Sequence, residues 1–379
     1  MINDGVLNIN SPFWKQERER VIRLANEALQ IEPVGISSFI CPHSKGGPND
    51  YYSDADYWWP DPFSNNGFPY IRRDGLINPN NFNSHRTLLR KINNGIAALA
   101  TAYKVTNENT YVKKACELLD VFFIQPDSKM NSHTQYSQNI RGQEEQERAM
   151  GIIDTIHLIE TPLSINILKT STYFSSSLYN GLSNWFTNYL QWLGLSSKGQ
   201  KCSEWNNNHA SSFYLQRLMF SMVSNTPNNI NIFAINKLKE KFISKHMSLN
   251  GFFPKETQRT RSYNYSLFQL EIVSLLCYLL TNNNENMWRF KCPENKNIKT
   301  AIDAIIPYLQ DKNKWPSGPD LGYWDELPSR RMFPLLAGIA YNDQNYIDIW
   351  KQMIPDPKDQ EISRNIIVTQ PLLWLDLKN

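Results

Sequence analysis

The stretch ETQRTRSYNYSLFQLEIVSLLCYLL, Glu256–Leu280, decides the fold. Its polar head gives way at Ser262 to a helical pattern that runs to Leu280, too long for a strand. Working outward from it, the same pattern covers Asn208–Val223, Ile232–His246, Ile298–Leu309 and Arg330–Tyr341. Towards the N-terminus it covers Leu178–Leu193, Arg148–Leu168, Thr110–Phe123 and Ser84–Tyr103. Ser11–Gln30 places Phe13, Trp14, Val21, Ile22, Leu24, Ala25, Ala28 and Leu29 at intervals of three and four, and Pro33 ends it. Strand-like alternation is scarce. The joints are short and polar, and Asn225–Asn231 and Asn282–Asn284 read as surface loops of biased composition. No composition break divides the chain, so the sequence predicts one all-α domain over residues 1–379 whose helix pairs succeed one another as a solenoid or closed toroid.

One segment departs from this pattern. From Pro42 to Asn81, Gly, Pro, Asn and Asp are interleaved with Tyr51, Tyr52, Tyr57, Trp58, Trp59, Tyr70, Arg72 and Arg73, without helical or strand periodicity. A connection this long inside a compact domain points to a lid or binding loop. Flat amphipathic rings suit stacking on sugar faces, although most of the 11 Trp and 18 Tyr fill the core.

Composition sets the outer bounds. A chain that is 41% hydrophobic builds a sizeable core. With 39 basic against 36 acidic residues the net charge is +3, and no global field recruits nucleic acid. No apolar run approaches the ~20 residues that span a bilayer. MINDGVLNIN at the start has neither a basic nor an apolar signal region. The expectation is a soluble monomer without nucleic-acid or membrane partners, cytoplasmic as the chain stands, or secreted or periplasmic if a signal has been removed. Cys41, Cys116, Cys202, Cys277 and Cys292 are scattered without CxxC spacing and read as free thiols. His43, His85, His133, His157, His209 and His246 show no metal-ligand spacing, so no metal and no cofactor is expected. The acidic run Glu144, Glu145, Glu147 reads as a solvated loop.

Two stretches concentrate chemistry. In EWNNNHASSFYLQ, Glu204–Gln216, the poor helix formers Asn206, Asn207, Asn208 and His209 stand where one cap would suffice. The surplus amides, the imidazole and Gln216, further along the His209 face, suggest a bound polar group of substrate size. In the second stretch Arg259 and Arg261 precede Tyr263 and Tyr265, and a phenol with a pKa near ~10 needs a nearby cation to act as a base at neutral pH. On a continuous helix Arg261 shares a face with Tyr265, while Arg259 reaches it only from a non-helical lead-in. A hydrolase would need two carboxylates flanking a glycosidic oxygen. Asp154, Glu204, Asp320, Asp325 and Glu326 are available, yet none stands out from a capping or salt-bridging acid. A lyase acting on a uronate needs donors that neutralise the C6 carboxylate, a base for the C5 proton and an acid for the leaving O4. Amides, His, Arg and Tyr suit those roles.

The ordered motifs WWPDP (Trp58–Pro62), GFPYIRRDG (Gly67–Gly75), NP (Asn78–Pro79), QYSQNIRG (Gln135–Gly142), RAMGIID (Arg148–Asp154), WFTNYLQWL (Trp185–Leu193), NNH (Asn207–His209) and RTRSYNYS (Arg259–Ser266) carry a resemblance. Together they are similar to the alginate lyase domain family, which is related to polysaccharide lyase family five. The resemblance implies an incomplete (α/α) toroid of helical hairpins enclosing a groove, with residues 48–81 as a lid loop. It also implies metal-independent β-elimination of an anionic polysaccharide. Family roles fall on Asn208 and His209 as carboxylate neutralisers, Arg259 as a further carboxylate or phenol partner, and Tyr265 as base and acid. Tyr57, Trp58, Trp59, Tyr70, Arg72, Arg73, Tyr136, Gln138 and Arg261 are expected to bind substrate. The arginine stands six residues before Tyr265 rather than the family's seven, which leaves Arg259 and Arg261 both open.

Stereochemistry narrows the substrate. In mannuronate and glucuronate the C5 hydrogen and O4 share a ring face, so one tyrosine can take the first proton and return one to the leaving oxygen. Mannuronate-rich alginate is the preferred expectation and glucuronan the alternative. A helical glycoside hydrolase and a non-catalytic carbohydrate-binding relative are the competing classes.

Overall fold

The computed structural model describes residues 11–143, 148–225 and 229–376. The N-terminal decapeptide, Glu144, Glu145 and Glu147, and the centre of the 225–231 joint lie outside them. Helix α1 (Pro12–Ala28) packs on α2 (Ser84–Thr106), and α2 packs on α3 (Asn109–Phe123) and α4 (Glu160–Leu168). Next come α5 (Ser176–Leu195), α6 (Ser197–Glu204) and α7 (Asn208–Ser221). After α8 (Asn229–Lys237) and α9 (Pro254–Thr257), α10 (Ser262–Leu280) packs on α7, α11 (Ile298–Gln310) and α12 (Met332–Tyr341). Helix α13 (Gln344–Gln352) lies on α12, and α14 (Gln360–Ser363) and α15 (Pro371–Trp374) end the chain, α15 on α2 and α4.

Burial separates two layers. Helix α2 is buried almost continuously from Leu88 to Tyr103, α10 from Ser262 to Cys277, and α12 from Met332 to Ile339, as interior helices must be. By contrast α1, α11 and α13 bury a single stripe, as at Trp14, Val21, Ala25 and Ala28 of α1, and form the outside. The two ends of this (α/α) toroid meet through side chains. Trp14 stacks on Trp350 with centroids 5.7 Å apart, and Arg330 on α12's lead-in donates to Glu17 of α1 at 2.8 Å. One core cluster runs from Trp14 to Leu375.

The helices differ from expectation where local chemistry intervenes. The run over 148–168 splits into a 3-10 segment, Ala149–Leu158, and α4, because Pro162 suits the first turn of a new helix and not the interior of a long one. The run over 232–246 ends in a π-helical stretch, Leu238–His246. Helices α6 and α13 are too short for their periodicity to stand out in the sequence.

The 42–81 segment, expected without regular structure, contains three short strands. β1 (Tyr52–Asp54) pairs in parallel with β4 (Tyr136–Asn139), and β2 (Trp58–Trp59) pairs antiparallel with β3 (Ile71–Arg72). Its far end docks on the turn before α10. Gly75 has φ +78°, and a Cβ there would lie 2.5 Å from Thr260 Oγ1, so only glycine permits this approach. The Gly75 carbonyl accepts from Arg261 Nη2 at 2.6 Å.

Candidate active site

Buried acids fix the helix starts that carry the site. Glu256 accepts from the Asn208 backbone N–H at 2.8 Å and from its Nδ2 at 2.6 Å, and Asn207 Oδ1 caps the His209 N–H at 3.1 Å. Asp320 accepts the Tyr263 and Asn264 N–H groups at the start of α10, each at 2.8 Å, and Glu271 does the same for Met332 and Phe333 of α12. Glu160 holds the N–H groups of Thr369 and Gln370 and the Trp374 indole. A helix N-terminus is where a buried carboxylate is best compensated, so these acids are committed to architecture.

The turn between α9 and α10 is not helical. It turns Arg259 back over Tyr265, with the guanidinium carbon 4.0 Å from the ring centroid and Nη2 donating to the phenol oxygen at 3.1 Å. Asp74, from the loop, receives Arg259 Nη2 at 2.8 Å and Nε at 3.2 Å, and Arg72 Nη2 at 2.6 Å. Burial opposes ionisation of Asp74, yet these guanidiniums hold its carboxyl well below the ordinary range. On the other side of Tyr265 the Tyr57 hydroxyl lies 2.8 Å away and itself accepts from Arg364 Nη2 at 3.1 Å. Two phenols thus stand in series between two guanidiniums.

These groups line a cavity of about 380 Å³. Asn208, His209, Arg259 and Tyr265 all face it, as do Tyr57, Trp58, Arg72 and Gln138. Gln138 has φ +47°, unusual for a side-chain-bearing residue, and is fixed there by Ser53 Oγ on its N–H and by Asp154 on its amide. His209 meets Trp205 edge to face at 5.0 Å. Burial, then the charges of Arg259 and Arg72, push its imidazole down to about 3 against a hydrogen bond to the Met150 backbone, so it is neutral at ordinary pH. Asn208 Oδ1 and His209 Nδ1 are buried without a protein partner.

Five of the expected binding residues are elsewhere. Tyr70 is buried in a small cluster with Ala55 and Ile140, stacked on Phe68, its hydroxyl receiving Arg141 at 3.0 Å. Trp59 donates to the Leu76 carbonyl at 2.9 Å, and Arg73 lies over its ring at 5.4 Å. Tyr136 packs against Gly46, where a Cβ would lie 2.7 Å from its ring. Arg261 reaches the Gly75 carbonyl and, at 3.7 Å, Glu361. All five pin the loop and its surroundings because their partners lie within or beneath it, outside the cavity lining. Gln216, expected on the His209 face, is buried on Thr155 Oγ1 and the Ile152 carbonyl. The phenol also departs from expectation: burial first, then Tyr57, raise Tyr265 above its ordinary value, and Arg259 offsets this only in part.

Of the opposite wall, sequence reasoning singled out only Asp154 and missed Asp56, Arg86, Arg90 and Arg364. Asp56 binds both Arg86 and Arg364, which, against the opposing push of burial, hold its carboxyl at about 2. Asp154 accepts from Tyr51, Ser53, Arg86 and Gln138 at 2.7 to 3.2 Å. These are the two carboxylates that line the cavity, and both are fully engaged. Arg86 and Arg90 stand one turn apart on α2, a signal present in the sequence; Arg364, near the end of the chain, had none.

The alginate lyase family model matches residues 41–315. An alginate lyase from Bacteroides ovatus, of known crystal structure, superposes with a TM-score of 0.84 at 24% identity, covering 98% of this chain and 95% of that one. Alginate lyase A1-III from Sphingomonas species A1 superposes with a TM-score of 0.50 at 12% identity, covering 96% and 94%. A histidine-to-alanine variant of alginate lyase A1-III, complexed with tetrasaccharide, gives 0.55 at 12% identity and the same coverage. At these identities the structural likeness is one of fold. Comparison with curated protein sequences finds no match.

Proposed function

This chain belongs to the alginate lyase family, a polysaccharide lyase with an anionic polysaccharide as substrate, and from that premise we propose that it cleaves mannuronate-rich alginate by syn β-elimination in the cavity around Tyr265. The observation that carries the reading is the contact of Arg259 with the Tyr265 hydroxyl, 3.1 Å, in the same cavity as Asn208 and His209.

The roles follow from the chemistry. The amide nitrogen of Asn208 has two protons and gives one to Glu256, which leaves one to donate. With the neutral imidazole of His209 it offsets the C6 carboxylate and so makes the C5 proton more acidic. Tyr265, as phenolate, takes that proton; the C–H electron pair becomes the C4–C5 double bond, the bond from C4 to O4 breaks, and the proton returns to O4. Arg259, which donates to the phenolic oxygen, and Arg364, which stands behind Tyr57, offset its charge.

A hydrolase would need a free pair of carboxylates across the bond. The engagement of Asp56 and Asp154 supports the lyase reading over it. Incubation with poly-mannuronate, poly-guluronate and glucuronan, following ultraviolet absorbance of the new double bond, tests the assignment. Fastest turnover of poly-mannuronate is expected; preference for poly-guluronate would contradict a syn mechanism on one tyrosine.

A further inference from the structure

The arginines of the cavity are unequally engaged. Arg72 and Arg259 share Asp74, Arg86 holds Asp56 and Asp154, and Arg364 holds Asp56 and Glu361. Arg90 also lines the cavity, half-buried, and among the described residues no carboxylate lies within ion-pair distance of it and no acceptor takes its hydrogen bonds; Glu361 acts on it only at longer range. A guanidinium has five donors in a planar fork that fits a carboxylate. Leaving it unpaired beside other cations is unfavourable unless an anion arrives. Burial, then Arg86 and Arg364, already weigh against its charged form. Its neighbour His157 is buried and hydrogen-bonded to the Arg364 backbone, and it contributes no negative charge.

Arg90 is also set apart from the reacting groups. It extends from α2, one turn beyond Arg86, whereas Arg259 and Tyr265 come from the start of α10 and Asn208 and His209 from the start of α7. The carboxylate to be neutralised for C5 deprotonation already has Asn208 and His209.

We propose that Arg90 binds the carboxylate of a second uronate residue, adjacent to the one being cleaved, so that the cavity reads two consecutive anionic sugars. The inference rests on the lyase reading above. It makes the site selective for contiguous uronates over polymers in which uronates alternate with neutral sugars, because only the former presents an anion to both positions.

The test compares wild type, Arg90→Gln and Arg90→Lys on a mannuronate oligomer and on the same oligomer with its carboxyls outside the scissile residue reduced to alcohols. On the charged oligomer Arg90→Gln should raise KM on the order of tenfold or more, the loss expected for a charge-assisted hydrogen bond, with the effect in KM rather than kcat. Arg90→Lys should recover part of it. On the reduced oligomer the three proteins should share one KM. An equal rise on both oligomers would make Arg90 a structural residue, and an unchanged KM or a loss confined to kcat would equally overturn the proposal. Failure of the underlying reading looks different: wild-type protein would then yield no unsaturated product from any uronate polymer.

Discussion

The phenolic oxygens of Tyr57 and Tyr265 lie 2.8 Å apart, one from the loop after β1 and the other from the first turn of α10. At that separation one hydroxyl donates to the other, and burial together with Tyr57 holds the Tyr265 phenol above its ordinary value. The loop therefore places a hydroxyl against the proposed acid–base residue itself.

The first prediction concerns Tyr265. A group that both takes and returns a proton should cost on the order of 10³–10⁴-fold in kcat when its hydroxyl is removed as Tyr265→Phe. Tyr263 is the control, but not an inert one. It is fully buried against Trp315 and Trp324 and donates to the Tyr308 carbonyl at 2.8 Å. Tyr263→Phe should keep kcat and lose about 1 kcal/mol of stability in urea unfolding. Wild-type kcat in Tyr265→Phe would remove Tyr265 from the chemistry and leave His209 as the leading base; with Tyr265 as the base, His209→Gln should retain more activity than His209→Ala, because an amide still donates.

What the sequence revealed of this site depended on whether its parts were neighbours in the chain. Asn208 with His209, and Arg259 with Tyr265, lie in two short polar stretches at helix starts, where surplus amides and cations conflict with helix propensity and so stand out. The choice between Arg259 and Arg261 turned on backbone geometry over 258–261, which spacing alone does not encode. Arg364 and Asp56 are 308 positions apart and meet only through the closed ring, at 2.6 Å. Neither has a local pattern. The aromatic loop is a different case: its composition suggested many sugar platforms, and Trp59 and Tyr70 lie outside the cavity lining, engaged in the loop's own packing and hydrogen bonds.

The second prediction separates two adjacent arginines. Arg72 faces the cavity and ties Asp74, whereas Arg73 sits on Trp59. Arg72→Gln should raise KM for polymer several-fold, and the raised KM should respond less steeply to added salt. Arg73→Gln should match wild type in both. Equal effects of the two substitutions would return the loop's contribution to general surface charge.

The third prediction is that activity survives chelation. The proposed elimination assigns neutralisation of the substrate carboxylate to an amide, an imidazole and guanidiniums, and the histidines lack metal-ligand spacing. Exhaustive treatment with a strong chelator should leave kcat/KM within about twofold, the reading of an elimination without a Lewis acid. Loss of activity restored by one added divalent ion would refute it.

The fourth prediction is a pair of pH dependences with opposite origins. Burial, Arg90 and Arg364 push the His157 imidazole down to about 3, against ~6.5 in an unfolded chain. A depressed pKa stabilises the fold above the unfolded value, and that stability is lost as pH falls towards the folded one, because the unfolded chain then binds a proton that the native state refuses. Between pH 6.5 and 3 this one group should remove stability steadily, on the order of 1 kcal/mol per pH unit. Urea midpoints at pH 7 and pH 5 should differ accordingly, and His157→Gln should flatten the difference by about one proton. Activity should behave otherwise. His209 is held at about 3 and stays neutral, so kcat/KM should show no inflection near pH 6.5. It should instead climb on the alkaline side, because burial and Tyr57 raise the Tyr265 phenol and more of it reaches phenolate as pH increases. An acid limb near pH 6.5 that disappears in His209→Gln would show that His209 carries the titrating proton and would shift the base from the phenol to the imidazole.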